Sequence, residues 1–334
     1  MSTSSPGILP VQGFFPVAVT ASVCYNKSMK HVLFSLNRHT PAEAFSACEE
    51  ACLRFGKEGI SGAVCTGDET ERFLEEVSDA EEVLIVCDNP VYLKTLQEQG
   101  HAVIALQHGG NAAEKFRGAK YLFSEPQEVD LDSYVKAWQR LRGIPWEILE
   151  TKRLRLRETT PEDLDALYEI YAMPGMTAYM EGLFPDPEDE KRYLLDYIRN
   201  VYGLMGFGVW SVLEKESGRL IGRCGFSVRN GFERIELGFL IGTRWQGRGY
   251  AQEACAAALR YGSDFLGIDT VQALVREGNT VSVHVLEKLG FQKKEMVEAE
   301  DDIYGRTYPA AKERTQSIRR PYILFVKDNG NMIS

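Results

Sequence analysis

The apolar positions of this chain change rhythm along its length. Up to about residue 145, short apolar runs alternate with stretches whose apolar side chains recur every three or four places, patterns that fit buried strands and amphipathic helices respectively. Thr40-Pro-Ala-Glu43 predicts a helix start, with the helix running to about Phe55. Glu82–Cys87 is an apolar run ending in Asp88-Asn-Pro90, followed by a helical stretch from Val91 to Gln99 that Gly100 stops. Then come a strand, His101–Leu106, a loop, Gln107–Asn111, a short helix, Asn111–Arg117, a strand, Tyr121–Phe123, and a helix, Leu131–Leu141. Strands alternating with helices over short links predict a parallel sheet between two helical layers, a Rossmann-like α/β domain over residues 29–145.

Beyond Gly143-Ile-Pro-Trp146 the pattern turns to longer strands. Phe207–Glu214 and Arg219–Val228 read as strands split by the turn Lys215-Glu-Ser-Gly218. Met173–Tyr202 reads as a helix pair joined by Pro174-Gly175 and Pro185-Asp-Pro187. The apolar run Ile235–Ile241 leads into Gln246-Gly-Arg-Gly-Tyr-Ala251 and then a helical pattern from Glu253 to Phe265. Strand, glycine turn, helix is an order that aims several backbone N–H groups outward at a helix start, where unpaired amides and the helix dipole favour an anion. Glycine lets a phosphate approach the backbone without meeting a side chain.

Two familiar phosphate loops do not fit. The dinucleotide fingerprint needs a small residue where this chain has Gln252, and an acidic ribose partner that does not stand out downstream. The NTPase loop needs Gly-Lys followed by Ser or Thr, which no glycine-rich run here supplies. The remaining pattern, Gln246-x-x-Gly249-x-Ala251, resembles the pyrophosphate loop of the GNAT acetyltransferases, which bind coenzyme A. The flanks carry the same resemblance. Leu149–Arg157 followed by Thr160-Pro-Glu-Asp163 looks like the first strand and helix start of the branch that acetylates ribosomal-protein N-termini. Asn279-Thr-Val-Ser282 and Val285–Phe291 look like the family's late helix with its capping glycine, and Pro321–Lys327 like its last strand. The resemblance covers about residues 149–328 and makes 146–334 the acetyltransferase domain, of α+β type.

The resemblance implies acetyl-CoA as cosubstrate and a primary amine as acceptor, either a protein N-terminus or a small molecule, acetylated by direct attack. It implies that the backbone at Phe239, Leu240 and Ile241 holds the pantetheine arm, near a divergence from the strand at about Thr270–Val275. Gln246, Gly247, Arg248, Gly249, Tyr250 and Ala251 would hold the pyrophosphate, Asn279 would bond the arm, and an N–H near Phe239 or Leu240 would meet the thioester oxygen. Glu236 shares a strand face with Gly238 and is the candidate base, against a salt-bridged carboxylate as the plainer reading. Glu181, Glu295, Glu298 and Glu300, read as loop residues, are its competitors. Ser282 is the candidate acid or a helix cap, with Tyr304 and Tyr308 as alternatives. Tyr179, Glu181 and Phe184 could line the amine site, and His284 reads as a surface residue. The rival reading is a CoA-binding sensor without turnover.

Composition narrows the partners. The chain has 334 residues, room for two domains, and a net charge of −10, which argues against a general nucleic-acid binder. Its seven cysteines form no Cys-x-x-Cys pair, so no metal site is expected; Cys48 and Cys52, four apart, read as buried helix thiols. No run approaches the length of a membrane span, and reduced thiols fit the cytoplasm. A homodimer stays open. Residues 1–28 read as a loosely ordered leader, with Met29 as an alternative start. The first half resembles the haloacid-dehalogenase superfamily in outline but lacks the Asp-x-Asp, with Gly62–Gly67 in the expected place, so its phosphotransfer chemistry is expected to be absent and its role non-catalytic. Asp88 and Gly109-Gly110 lie at strand ends, where α/β ligands bind; the plainer reading of Asp88 is a turn or helix cap.

Overall fold

The computed structural model describes residues 28–67, 69–300 and 319–328. Nearly all of the expected leader, together with Tyr304 and Tyr308, lies outside the described residues. Contacts divide the chain between Trp146 and Glu147 into two compact units. The mixed α/β class expected from the apolar rhythm holds in both.

The first unit comprises β1 (His31–Leu36), α1 (Ala42–Lys57), β2 (Ser61–Thr66), α2 (Glu69–Glu76), β3 (Val83–Cys87), α3 (Pro90–Glu98), β4 (Ala102–Leu106), β5 (Leu122–Phe123) and α4 (Leu131–Leu141). The strands are parallel, in the order β2-β1-β3-β4-β5. Alternate residues of β1 enter opposite cores. Val32, Phe34 and Leu36 pack with Phe55 of α1 and Trp138 of α4, whereas Leu33 packs with Leu93 and Leu96 of α3. Burial on both faces explains why β3 and β4 are continuous apolar runs.

Three expectations need correction here. The first strand is β1, and Gly62–Thr66 belongs to the second. Asn111–Arg117 is not a helix. The Asn111 amide nitrogen donates to the carbonyls of Leu106 (3.0 Å) and Asp88 (2.9 Å), and its oxygen accepts from His108 N, so the chain closes into the short 3-10 turn Gly109–Asn111 instead. Asp88 is not the cap of α3; that is Asn89, whose Oδ1 accepts from Val91 N and Tyr92 N. Asp88 is buried and accepts from Asn37 N, Thr40 Oγ1 and His108 Nε2.

The second unit comprises β6 (Glu147–Glu150), β7 (Leu154–Arg157), α5 (Leu164–Tyr171), α6 (Pro187–Tyr197), α7 (Gly203–Met205), β8 (Val209–Glu214), β9 (Leu220–Val228), β10 (Ile235–Ile241), α8 (Tyr250–Leu266), β11 (Thr270–Arg276), α9 (Thr280–Lys288), β12 (Gln292–Glu300) and β13 (Arg319–Asp328). They form a sheet in the order β12-β13-β11-β10-β9-β8-β7-β6, antiparallel except for the pair β10–β11.

Residues 149–157 are therefore a hairpin and not one strand. Thr151 Oγ1 accepts from Leu154 N (2.9 Å) and Arg153 N (3.3 Å), which turns the chain. The expected helix pair over 173–202 reduces to α6, continued by a π-helical turn, Ile198–Tyr202, and α7; residues 172–186 are turns and irregular chain. Asp186 caps α6 by accepting from Glu188 N, and Pro187 at the first helical position sets its start. Glu295, Glu298 and Glu300 sit on β12, not on loops.

Candidate active site

The site begins where two strands part. β10 and β11 pair in parallel at only two rungs, Ile235 with Val271 and Glu236 with Gln272. Beyond them the strands separate, and a cleft of about 360 Å³ opens, with Phe239 and Leu240 on one wall and Leu274 and Val275 on the other. On its far side β10 stays paired with β9 to its end. Gly242 N donates to Ile221 O (2.8 Å) on that side. Peptide groups alternate along a strand, so Leu240 and Gly238 also turn toward β9, while the N–H and C=O of Phe239 and Ile241 face the gap. Of the two expected N–H donors, Phe239 is the one aimed at the cleft. A Cβ on Gly222 of β9 would lie 2.2 Å from Leu240 O, so only glycine lets β9 come this close. A Cβ on Gly238 would meet nothing within 4 Å, leaving open space between Glu236 and Leu240 on the same face.

At the end of β10 the glycine loop turns into α8. Gly247 (φ +74°) and Gly249 (φ +79°) are both left-handed, a region that costs other residues about 1–2 kcal/mol. The Gln246 side chain is spent on its own loop: Nε2 donates to Ile241 O at 2.8 Å. The first backbone bond of α8 is Glu253 N to Gly249 O, so the amides of Tyr250, Ala251 and Gln252 have no intrahelical acceptor. Gly247, Arg248 and Gly249 are exposed. The Tyr250 side chain is buried, with its hydroxyl on Glu214 Oε1, so only its backbone belongs to the helix mouth.

A brace that sequence reasoning missed holds this loop. Arg153, at the tip of the β6–β7 turn, donates from Nε to Glu253 Oε2 (2.7 Å) and from Nη1 to Arg248 O (2.9 Å). Its guanidinium lies 4.4 Å from the centre of the Tyr250 ring. Thr151 Oγ1 adds a 2.6 Å bond to Glu253 Oε1. The signal available was the pairing of an arginine in a turn with an acidic residue in the first turn of α8, about a hundred residues later.

Glu236 stands at the last paired rung, only 4% exposed. Its Oε1 accepts from Arg229 Nη1 at 3.2 Å, and Arg229 is equally buried. Burial pushes the carboxyl up to about 7, with the Arg229 charge pulling the other way. Arg229 also donates to Glu300 O and lies 5.0 Å from the centre of the Tyr322 ring. Oε2 of Glu236 has no hydrogen-bond partner among the described residues, and neither has Nε2 of its rung neighbour Gln272. Arg229 was also missed; the visible signal was one arginine seven places before the glutamate, across a hairpin.

Asn279 is the cap of α9, its Oδ1 accepting from Ser282 N at 3.2 Å, so the capping role weighed for Ser282 belongs to Asn279. Both line the cleft, as do Glu236, Phe239, Leu240, Ile241, Gln246 and Ala251. Tyr179 and Glu181 line it too, and the Tyr179 ring lies against Gly278, just before the cap. Phe184, Glu295, Glu298 and Glu300 do not line it, and His284 is exposed on α9. Among the described residues no cluster of three or more His, Cys, Asp or Glu could hold a metal ion, and no helix is long and apolar enough to cross a membrane.

A parted strand pair beside a glycine-opened helix makes a cleft shaped to take an extended ligand with an anionic end. The acetyltransferase (GNAT) domain model matches residues 153–292. An uncharacterised N-acetyltransferase, p20, of Bacillus licheniformis is 31% identical over 163 residues, covering 48% of this chain and 90% of that protein. The [ribosomal protein uS5]-alanine N-acetyltransferase of Escherichia coli is 39% identical over 90 residues, covering 26% of this chain and 45% of that protein. A GNAT-family acetyltransferase structure from Bacillus anthracis matches with a TM-score of 0.41 at 22% identity, over 54% of this chain and 98% of that one. The chain is an acetyl-transferring enzyme. It belongs to the GNAT family of N-acetyltransferases.

Proposed function

We propose that the C-terminal unit moves the acetyl group of acetyl-CoA to a primary amine by direct attack, and that the acceptor is a protein N-terminus. The observation that carries the reading is the loss of β10–β11 pairing after Glu236, beside a helix start opened by two left-handed glycines. The residues present fit the cosubstrate. The peptide edge of Phe239 and Ile241 offers an added-strand partner to the amide-bearing arm, with Gln246 shaping its end. The amides from Gly247 to Ala251 suit the diphosphate, and Arg248 adds charge. Asn279 uses only its oxygen in the cap, which leaves its NH₂ to the arm.

Acetyl-CoA supplies an activated acyl carbon and a thiol leaving group. The protein's part is orientation and proton handling. Phe239 N–H, aimed into the gap, is placed to donate to the acyl oxygen as negative charge builds there. Glu236 takes the proton that the acceptor ammonium must lose before its nitrogen can attack, a role suited to a carboxyl titrating near 7. Ser282 stands on the cleft wall as donor to the departing sulfur. The uS5-alanine acetyltransferase relative supports a protein acceptor, and the tyrosines and Glu181 on the outer wall suit a cationic chain end.

Calorimetric titration with CoA, followed by thiol-release assays on peptides and on small amines such as spermidine, tests this. Binding with turnover on N-terminal peptides is expected. No heat with CoA removes the reading, and turnover on small amines alone removes the protein acceptor. The N-terminal unit is given no catalytic part.

A further inference from the structure

The first unit has a crevice of its own, also about 360 Å³, at the low end of the range for small-molecule sites. Its position follows from topology. Strand order β2-β1-β3 means that the chain leaves β1 toward one face, with α1, and leaves β3 toward the other, with α3. Adjacent strands whose following loops diverge leave a gap beyond their carboxyl ends, the usual ligand position in open α/β sheets. Here that gap is walled by Asn37 and Arg38 after β1, Gly67 after β2, Glu71 on α2, and Asn89 and Tyr92 at α3.

The wall chemistry selects the ligand. Arg38 lies across the end of β2: a Cβ on Gly67, whose φ is +53°, would come within 3.4 Å of its Nε and Nη2. Glu71 supplies a carboxylate from a different element. Ser35 Oγ and Thr70 Oγ1 bond to each other at 2.8 Å and close the floor. A phosphate is disfavoured. Pro90 has no N–H, the amides of Val91 and Tyr92 already donate to Asn89, and Glu71 would repel a dianion. Among the described lining residues Arg38 is the cation and Glu71 the carboxylate, on different elements, and Asn89 and Tyr92 add an amide and a phenol to the lining, a set that matches a ligand carrying both charges.

We propose that this crevice binds a small zwitterion of the amino-acid type, its carboxylate on Arg38 and its ammonium on Glu71. The proposal does not depend on the acetyl-transfer reading, because every residue in it belongs to the other unit.

The test is calorimetry on the full chain with each of the twenty L-amino acids at about 5 mM, a concentration that detects affinities near 1 mM. Inorganic phosphate and glucose serve as comparison arms. At least one amino acid is expected to bind. Arg38→Ala and Glu71→Gln, both at exposed positions, should each weaken it about tenfold or more, as loss of a charge-assisted bond requires, without lowering the thermal midpoint of the ligand-free protein. The proposal is overturned if no amino acid binds, if binding ignores both substitutions, or if phosphate or glucose binds while amino acids do not. CoA titrated into the same samples reads the second unit separately, so failure of one idea is distinguishable from failure of the other.

Discussion

Replacing Arg229 with methionine should move the pH dependence of catalysis, and the structure sets how far. Arg229 and Glu236 are 4% exposed each and 3.2 Å apart, so their coupling is little screened by solvent. An opposite charge at this range lowers a carboxylate pKa by about 1–3 units. In the intact protein burial outweighs that pull and leaves Glu236 near 7. Without the arginine, burial acts unopposed and the acid limb of the rate profile should move to about pH 8–10. At pH 7 the ionised fraction, and with it kcat/KM, should fall about 5- to 500-fold, and raising the pH should recover the rate. The amine acceptor titrates as well, but identically in both proteins, so the difference between their limbs isolates Glu236. Stability gives a second readout. The native pKa is above the unfolded value of 4.5, so the native state holds the proton more tightly; this contribution is full below about pH 4.5 and is lost as pH rises through the native pKa. The variant should therefore go on losing stability above pH 7, where the intact protein has little of this contribution left to lose. Thiol-release rates and urea midpoints from pH 6 to 10 measure both. A rate that drops uniformly, with the limb unmoved, would show that Arg229 only supports packing and that Glu236 is not the titrating group.

Four further outcomes follow from the same geometry. Gly249→Val forces a branched side chain into a φ of +79° at the helix mouth and should weaken CoA binding about tenfold or more with the fold retained, read by calorimetry and circular dichroism. Gly238→Phe fills the open space beside Glu236 and should raise KM for the amine far more than the dissociation constant for CoA. Arg153→Met unties Arg248 O and Glu253 and should raise KM for acetyl-CoA about tenfold with kcat little changed, since the brace touches the loop and not the reacting atoms. An acceptor analogue with a methyl group in place of its amine should bind about 5- to 150-fold more weakly than the amine, read as an inhibition constant, because it leaves Glu236 Oε2 buried with no donor among the described residues.

What the sequence disclosed depended on how local each signal was. Gln246, Gly249 and Ala251 were legible because a helix start opened by left-handed glycines is encoded within six residues. The strand β10 and its Glu236 were legible for the same reason. The hairpin at Thr151 was not, because a single threonine oxygen accepting two amides turns the chain where apolar alternation runs straight through. β12 was hidden by its composition. Lys293, Lys294, Glu295, Glu298 and Glu300 look like a solvated loop, and only pairing with β13 makes them a strand. In the first unit β1 was missed beside an apolar leader, and with it the switch point that defines the second crevice. Arg153 and Arg229 were missed for a stricter reason. Each acts through a partner that the fold alone brings near, and no spacing rule joins residue 153 to 253.

If Glu236 is the base proposed above, its rung explains how one carboxylate serves a proton transfer at neutral pH. Below it β10 and β11 are zipped, which excludes water and raises the pKa; above it they part, which gives a substrate access. A glutamate two residues later would stand beside the open cleft and stay an ordinary acid. One two residues earlier would precede β10 altogether, at a position that is exposed. Arg229 satisfies one oxygen and keeps the group ionisable, while the other is buried without a donor among the described residues. On the proposed function an arriving ammonium would supply that donor, and binding and proton acceptance would fall on the same atom. On the proposed reading, the divergence that opens the cleft also sets the acidity of Glu236, and a substitution that re-zips β10 to β11 would disable cosubstrate binding and proton transfer together.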